Sequence, residues 1–347
     1  MPRALSHVND RLTANAAVAR VRRNEHLLYE GDWRNARQLL TAMGRRVNRR
    51  REGKPLSPLE TFRAERVARL REHETLSRVV VMLDAKYALQ KLKHAPDVAE
   101  LCEDIWGEAT GPTVVPLKAL VGMIGANEWK KKGLAIRGLK KKLHPAYGVF
   151  LPTRTEYVDL LLRAPAPTGK RVFDIGTGTG VLSFLLLERG AASAVGTDLD
   201  PRSVACALAN AKELGFKSRF EAFERDMFPE GRAELAIANP PWIPEPWKNR
   251  LDRAVYDENH AFLNAYLGGL KNHLEPGGEG WLVMSNLAEL IGLRPEGFLA
   301  ERFAAHGLSV NWTLKTQAHH PKASDDDDPL HTARAHEVTT LYCLIPT

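Results

Sequence analysis

The sequence predicts an α/β protein in which a mainly helical N-terminal domain, residues 1–143, precedes a domain built on a parallel sheet, residues 144–347. Before about residue 145, apolar residues recur every three or four positions among many Arg and Glu, which is the pattern of amphipathic helices. Beyond it, short apolar runs rich in β-branched residues alternate with helical patterns, which is typical of parallel strands covered by helices on both faces. We expect about seven strands, with the last one antiparallel.

In the N-terminal part, apolar spacing is the signal for helices. It predicts helices over residues 4–30, 33–50, 58–83, 96–106 and 116–129. The third of these has a clear start in Ser57-Pro58-Leu59-Glu60. There the serine can cap free amides, the proline fits the first turn, and the glutamate can close a capping box.

In the C-terminal part, apolar runs predict buried strands, and the stretches between them predict helices. The expected strands cover residues 171–175, 194–197, 235–238 and 281–284, and the expected helices cover residues 181–189, 201–214 and 260–273. Two further strands, residues 309–316 and 337–345, are expected to pair as an antiparallel hairpin. The polar loop 319–333 would join them.

The formal net charge of +7 is concentrated in clusters. The first cluster consists of Arg45, Arg46, Arg49, Arg50 and Arg51, and two lysine runs follow at residues 130–132 and 140–142. A positive field of this kind attracts an acidic partner such as nucleic acid or the ribosome, although a solvated basic helix face has the same composition. We expect this basic domain to recognise a macromolecule.

Composition also argues against several protein classes. No apolar run approaches the about 18 residues of a membrane span, and no signal-peptide core follows Met1, so we expect a cytoplasmic protein without membrane contact. The cysteines Cys102, Cys206 and Cys343 lack metal-ligand or disulfide spacing, so we expect reduced buried thiols and no metal site. The loop from His319 to His331 contains consecutive aspartates that repel one another, which favours a solvated loop or a substrate-facing lid over a metal site.

The strongest motif is a glycine-rich turn that follows a buried strand. Val172-Phe173-Asp174-Ile175 runs into Gly176-Thr177-Gly178-Thr179-Gly180, and a helix follows. Glycines are needed where a backbone turns tightly and approaches a ligand closely. Val181 stands where a dinucleotide fingerprint has its last glycine, and the Gly-Lys-Ser/Thr of a P-loop is absent, so NAD and ATP fit poorly. Asp198 ends the next strand, where its carboxylate can accept both ribose hydroxyls of a nucleoside cofactor.

A second motif, Asn239-Pro240-Pro241-Trp242, follows the strand at residues 235–238. The two prolines stop the strand and fix the backbone, so the group before them is held rigidly. The Asn239 side-chain oxygen and the Pro240 carbonyl can each accept one N–H of a planar amide or amino nitrogen, and Trp242 can stack on it. Such positioning orients a weak nucleophile without a metal or a strong base.

Together these motifs resemble the class I S-adenosylmethionine-dependent methyltransferases, over roughly residues 145–347. The resemblance implies a Rossmann-like seven-stranded sheet and S-adenosyl-L-methionine as cofactor. Asp198 would hold the ribose, Leu199 would lie against the adenine, and Asp226 with the Met227 backbone would meet the adenine amine. The implied cofactor-binding residues are Asp174, Gly176, Thr177, Gly178, Gly180, Asp198, Leu199, Asp226, Met227 and Asn239. Arg154 with Glu156 is expected either to shape the cofactor entrance or to form a helix-start salt bridge.

The tetrapeptide resembles the (N/D)-P-P-(Y/F/W) signature of amino-methylating enzymes in that family, which makes Asn239, Pro240, Pro241 and Trp242 the expected catalytic residues. Two further segments resemble those of enzymes that methylate a glutamine amide in translation release factors: Ile243-Pro244-Glu245 and residues 151–156. We therefore expect a glutamine side chain of a protein, such as a translation factor, as the acceptor. A base amine in structured rRNA or tRNA, a small-molecule amine, and an idle fold that only binds RNA or the ribosome are the alternatives.

Overall fold

The computed structural model describes residues 5–48, 56–248 and 251–347 of the chain. These residues form two compact units, Met1–Glu128 and Trp129–Thr347. The predicted domain boundary after residue 143 therefore lies within the second unit. Of the first basic cluster, Arg49, Arg50 and Arg51 lie outside the described residues.

The first unit combines helices with a four-stranded sheet and a separate two-stranded sheet. Its strands are β1 (Leu5–Val8), β2 (His26–Tyr29), β3 (Gly31–Asp32), β4 (Val79–Leu83), β5 (Leu92–Lys93) and β6 (Thr113–Pro116). Its helices are α1 (Ala14–Arg22), α2 (Trp33–Val47), α3 (Pro58–Leu76), α4 (Ala99–Trp106) and α5 (Leu117–Lys132), the last of which continues into the second unit. In the sheet, of order β1-β2-β4-β6, the first three strands are parallel and β6 is antiparallel to β4.

Two helix predictions are wrong over part of their length. Residues 5–29 hold β1, α1 and β2 rather than one helix, and the stretch predicted to run to Leu83 is helical only to Leu76 and continues as β4. Asn24, with a φ of 65°, lies between α1 and β2, a left-handed conformation that breaks a helix. The run Val79-Val80-Val81 favours an extended chain because its side chains branch at Cβ. The capping box at Ser57 and Glu60 is confirmed.

The second unit is a seven-stranded sheet with helices on both faces, as predicted. Its strands are β7 (Arg171–Ile175), β8 (Ser193–Asp198), β9 (Phe220–Glu224), β10 (Ala233–Ala238), β11 (Leu274–Ser285), β12 (Leu308–Gln317) and β13 (Val338–Pro346). Its helices are α6 (Glu156–Arg163), α7 (Val181–Glu188), α8 (Pro201–Leu214), α9 (Ala261–His273), α10 (Leu287–Leu290), α11 (Phe298–Ala305) and α12 (His331–Ala335). The strand order is β12-β13-β11-β10-β7-β8-β9.

The hydrogen-bonding pattern of this sheet confirms the predicted topology. The strands from β7 to β11 pair in parallel, whereas β13 is antiparallel to both β11 and β12, so the last two strands form the expected hairpin. Side chains alternate between two apolar cores: Val172 packs on one face of the sheet and Phe173 on the other. β7 lies between β8 and β10, at the point where the strand order reverses, and ligands of such sheets bind at the carboxyl ends of these strands.

Other sequence features can be checked on the described part of the chain. There, no helix is long and apolar enough to cross a lipid bilayer. The same residues contain no group of three or more His, Cys, Asp or Glu suited to a metal ion. Cys102, Cys206 and Cys343 are buried free thiols.

Candidate active site

The glycine turn lies directly beyond the carboxyl end of β7. Gly176, Gly178 and Gly180 have φ values of 73°, 55° and 83°, which L residues rarely adopt. The Gly176 and Thr177 amides both donate to the Thr197 carbonyl at 2.9 Å, which ties the turn to the end of β8. A Cβ at Gly180 would overlap the Phe184 ring, whereas a Cβ at Gly178 would meet no atom within 4 Å. The turn is thus packed from within at Gly180 and open at Gly178.

Asp174 is fully buried beneath this turn. Its Oδ2 accepts hydrogen bonds from Thr177 Oγ1 at 2.8 Å, from Ser183 Oγ at 2.7 Å and from the Ser183 amide at 3.2 Å. Its Oδ1 has no hydrogen-bond partner among the described residues. Burial raises the pKa of Asp174 to about 6, against the lowering effect of these hydrogen bonds. A buried acceptor without a donor costs free energy, so Asp174 Oδ1 is suited to a ligand that donates to it.

Asp198 ends β8 and links this strand to the turn. Its Oδ2 accepts from the Gly178 amide at 3.0 Å and its Oδ1 from the Asp200 amide at 2.9 Å. Burial raises the pKa of Asp198, and these two amides act against that shift. Each carboxylate oxygen keeps a further lone pair for a hydroxyl donor.

The residues expected around an adenine lie beyond β8 and β9. The Leu199 side chain follows Asp198 and is exposed, an apolar surface suited to a planar base. Asp226 is exposed, and Met227 has a φ of 56°. Thr197 Oγ1 donates to the Met227 carbonyl, so the loop after β9 is held against the end of β8.

The tetrapeptide and the glycine turn lie side by side. Ala238 of β10 pairs with Ile175 of β7 in parallel register, so Asn239 and Gly176 each follow a paired residue at the same edge of the sheet. Pro240 is buried, while Asn239 and Pro241 are partly exposed. The two motifs that the sequence analysis singled out therefore share one edge of the sheet.

Trp242 is more constrained than its sequence position indicates. Its indole Nε1–H lies 3.1 Å from Asn239 Oδ1 and 3.2 Å from the Val283 carbonyl oxygen and donates toward both. The Arg154 guanidinium lies over the indole ring, 4.7 Å from its centroid. Trp242 thus contacts the side chain of the residue that begins the tetrapeptide.

Arg154 is held by two carboxylates that are fully buried, Glu156 and Glu337. Its Nη1 donates to Glu337 Oε1 at 2.9 Å and its Nη2 to Glu156 Oε1 at 3.3 Å. Burial would raise the pKa of Glu156, but the charge of Arg154 and hydrogen bonds to backbone amides hold it below its usual value. Ser285 Oγ, at the end of β11, donates to Glu337 Oε1 at 2.5 Å. Glu337 and Ser285 were not predicted as site residues, because they are far apart in the chain.

The loop that begins at His319 adds to this network. The His319 amide donates to Glu156 Oε1 at 3.2 Å, and His320 Nε2 lies 3.3 Å from Glu337 Oε2. Further along, His331 Nε2 lies 3.3 Å from Asp326 Oδ1, whose side chain is almost fully exposed. The loop is therefore anchored at its start and exposed at Asp326, whereas the Asp328 side chain is nearly buried and its Oδ1 lies 3.3 Å from Arg334 Nε.

Comparison with known proteins gives the family of the chain. The family model for the ribosomal protein L11 methyltransferase (PrmA) matches residues 156–240. A protein of Methanocaldococcus jannaschii named "putative protein N5-glutamine methyltransferase" is 32% identical over 180 residues, which cover 48% of this chain and 89% of the relative. The chain belongs to the S-adenosylmethionine-dependent methyltransferases. It is an enzyme of this family.

Other similarities of this methyltransferase are more partial. A release factor glutamine methyltransferase of Cereibacter sphaeroides is 37% identical over 143 residues, and the chain spans only 51% of that relative's length. The crystal structure of a ribosomal protein L11 methylase from Lactobacillus delbrueckii subsp. bulgaricus has 18% identity and a TM-score of 0.36, and covers 54% of this chain and 74% of the other.

S-adenosylmethionine, the cofactor of the methyltransferase, fits the chemistry of the residues present. Its methionine part carries an ammonium group, a donor that the buried Asp174 Oδ1 lacks among the described residues. The open space at Gly178 leaves room for close approach of a ligand to the backbone.

Proposed function

We propose that this enzyme transfers the methyl group of S-adenosylmethionine to the side-chain amide nitrogen of a glutamine in a protein. The observation that carries the proposal is the register of β7 and β10, which places the glycine turn and Asn239-Pro240-Pro241-Trp242 at one edge of the sheet. The match to the archaeal relative covers 89% of that protein, and its name supports a glutamine amide as the acceptor.

Cofactor binding is assigned to the turn and the strand ends around it. Asp174 and the backbone of Gly176, Thr177, Gly178 and Gly180 would hold the methionine part. Asp198 would accept the ribose hydroxyls, and Leu199 with Asp226 and Met227 would border the adenine. When bound, S-adenosylmethionine supplies an electrophilic methyl group on a positively charged sulfur.

Acceptor positioning is assigned to the tetrapeptide. An amide nitrogen is a weak nucleophile because its lone pair is delocalised, so the enzyme gains most by fixing its orientation. Asn239 Oδ1 has one lone pair directed at the Trp242 indole, and a second can accept an N–H of the acceptor. The Pro240 carbonyl can accept the other N–H, and Pro241 keeps the backbone rigid. No strong base is required, because the nitrogen proton becomes acidic only as the new bond forms.

The bacterial relative supports the choice of the acceptor protein. Its name, release factor glutamine methyltransferase, leads us to propose a translation factor as the acceptor and the cytoplasm as the place of reaction. The basic N-terminal part would contribute to recognition of this acceptor. Arg45 and Arg46 lie in the last turn of α2, where positive side chains also complement the helix dipole.

A base amine in structured RNA is the second candidate, and one observation favours it. Trp129 is exposed at the end of α5, with Lys132 Nζ 5.9 Å from the centroid of its ring and Lys131 nearby in sequence. Exposed aromatic rings among lysines are typical of surfaces that bind nucleic acid.

Methyl transfer to purified acceptors tests the proposal. The full chain is incubated with tritiated S-adenosylmethionine and, in parallel, with a bacterial release factor, ribosomal protein L11 and total ribosomal RNA. We expect label in the release factor, sensitive to protease and resistant to nuclease, and a mass gain of one methyl group on a glutamine peptide. The Asn239→Ala variant serves as the inactive control. Label found only in RNA would contradict the proposal and favour the second candidate.

A further inference from the structure

We propose that Arg154 is a positioning residue for methyl transfer, which acts by holding the Trp242 indole so that its N–H fixes the Asn239 carboxamide in one orientation. The proposal rests on the proposed function, in which Asn239 receives the acceptor nitrogen. It gives Trp242 a further role, that of a support for Asn239 in addition to a surface for the substrate.

The Asn239 carboxamide must present its oxygen to the acceptor. A carboxamide can rotate and exchange its oxygen and nitrogen, and only the oxygen accepts an N–H from the acceptor. The Trp242 Nε1–H, 3.1 Å from Asn239 Oδ1, is a donor only and therefore selects the oxygen at this place. The Val283 carbonyl, 3.2 Å from the same indole nitrogen, fixes the plane of the ring from β11. A phenylalanine at this position could not provide this donor.

The Trp242 ring is held in place by Arg154. Trp242 is only partly buried, so packing alone leaves part of the indole without a neighbour. Arg154, 4.7 Å from the ring centroid, covers one face with a planar cation. A guanidinium stacks on an aromatic ring and stays charged at any physiological pH, which a lysine ammonium matches in charge but not in shape.

The Arg154 guanidinium is itself fixed by two ion pairs. Glu156 and Glu337 are fully buried and approach two different nitrogens of the same guanidinium, so the group cannot rotate without breaking an ion pair. Ser285 and His320 hold Glu337 from other sides, and the His319 amide holds Glu156. The network runs from the N-terminal end of α6 through Arg154 to the tetrapeptide. A simple helix-start salt bridge would need only the pair of Arg154 with Glu156, whereas here Arg154 also pairs with Glu337.

Hydrogen exchange of the Trp242 indole N–H tests whether Arg154 holds the ring, and the measurement needs no methyl acceptor. The seven tryptophans are labelled with 15N, and the Trp242 Nε1–H resonance is assigned from its loss in Trp242→Phe. Arg154→Lys keeps the positive charge between the two carboxylates and removes the planar stack. We expect the Trp242 Nε1–H to exchange at least about tenfold faster in Arg154→Lys than in the wild-type chain.

Arg219 provides a matched control. It lies over the Phe216 ring at 5.2 Å and also donates to a backbone carbonyl, outside the tetrapeptide and its network. Arg219→Lys should leave the Trp242 resonance unchanged. If Arg154→Lys does not fold, the double variant Arg154→Met, Glu337→Gln is measured in its place. This double variant removes the stacked guanidinium together with the buried negative charge of Glu337. Unchanged Trp242 exchange in the folded Arg154 variant would overturn the proposal.

Kinetics provides the second measurement. With release factor as acceptor, we expect Arg154→Lys to lower kcat about tenfold while the Kd for S-adenosylhomocysteine stays within about twofold. Because Arg154 acts through Trp242, the Arg154→Lys, Trp242→Phe double variant should be no slower than Trp242→Phe alone, a coupling that independent sites do not show. Additive losses would overturn the proposal. If the wild-type enzyme methylates no glutamine, the proposed function fails, and the exchange measurement still decides the role of Arg154.

Discussion

At Asp174, burial and hydrogen bonding act in opposite directions on one carboxyl group. Burial favours the neutral form and raises its pKa to about 6, whereas Thr177 and Ser183 donate to Oδ2 and favour the charged form. Since the raised pKa belongs to the folded state, the folded chain binds a proton more tightly than the unfolded chain. Ionisation of Asp174 therefore costs stability as the pH rises.

The first prediction concerns this cost. Relative to Asp174→Asn, the free energy of unfolding of the wild-type protein should fall by about 3 kcal/mol as the pH rises from about 3 to about 7, at about 1.4 kcal/mol per unit of pKa. Chemical denaturation of both proteins across this range measures the difference. A constant difference between them would show that Asp174 is not strained by burial.

The second prediction separates cofactor binding from turnover. Asp198→Ala should weaken S-adenosylhomocysteine binding at least about tenfold, or about 1.4 kcal/mol, because the ribose hydroxyls lose their acceptor. Asn239→Ala should leave that affinity nearly unchanged and reduce kcat by at least about a hundredfold, because the proposed role of its carboxamide is to bind the acceptor nitrogen. Calorimetry gives the affinities and methyl transfer the rates. Equal affinities for Asp198→Ala and wild type would remove Asp198 from the ribose role.

The positions of single site residues follow from the sequence to different degrees. Asp174, Asp198 and Asn239 lie at or just beyond ends of neighbouring strands, as their place after apolar runs predicts. The network around Arg154 could not be predicted, because Ser285 and Glu337 meet only through the pairing of β11 and β13. The contact of Trp242 with Asn239 depends on one side-chain rotamer, which a motif does not encode.

At the scale of elements, the glycine turn distinguishes two uses of the left-handed backbone. Gly180 is required for packing, since a Cβ there would overlap Phe184. Gly178 has open space around its Cβ position, so packing alone does not explain a glycine there. Approach of a ligand does explain it.

The third prediction uses this difference. Gly178→Ala should lower stability only by about 1 kcal/mol, the cost of a left-handed L residue, but weaken S-adenosylhomocysteine binding at least about tenfold. Gly215→Ala is the matched control, because Gly215 also has a positive φ of 87° and no atom within 4 Å of its Cβ position. Gly215 follows the C-terminal end of α8, whereas the carboxyl end of β8 lies next to the N-terminal end of that helix. The Gly215→Ala variant should therefore lose stability without losing affinity for S-adenosylhomocysteine. Equal binding by both variants would argue against a cofactor cradle at Gly178.

The elements of the second unit were more predictable than those of the first. Long apolar runs such as that of β10, between clear turns, identify buried strands. In the first unit, β1 and β2 are four residues each, too short to show a period of two against the helical spacing around them. The pairing of β2 with β4 joins residues about fifty positions apart, and local sequence patterns do not encode such contacts.

At the scale of the whole chain, charge and catalytic chemistry are separated in sequence. The arginine cluster lies at the end of α2 and beyond it, whereas the proposed site residues lie between residues 154 and 242. A small-molecule acceptor gives no reason for an additional folded unit of this size. The separation supports a macromolecular acceptor, and the salt dependence of its binding distinguishes RNA from protein.

The last prediction applies this to the arginines. The variant neutralises Arg45, Arg49, Arg50 and Arg51 to Gln and keeps Arg46, because Arg46 donates to Asn15 and to the Ala42 carbonyl and so supports the helices. If the acceptor is a protein, as proposed, apolar contacts carry the affinity, and KM for the release factor at 50 to 200 mM salt should change by less than about threefold. If the acceptor is RNA, each lost phosphate contact should reduce the slope of log affinity against log salt by about 0.9 for a duplex, and by about 0.7 for a single strand. Salt titrations of wild type and variant with both acceptors give the slopes. A flatter dependence of RNA affinity on salt in the variant, together with no activity on the release factor, would contradict the proposed acceptor.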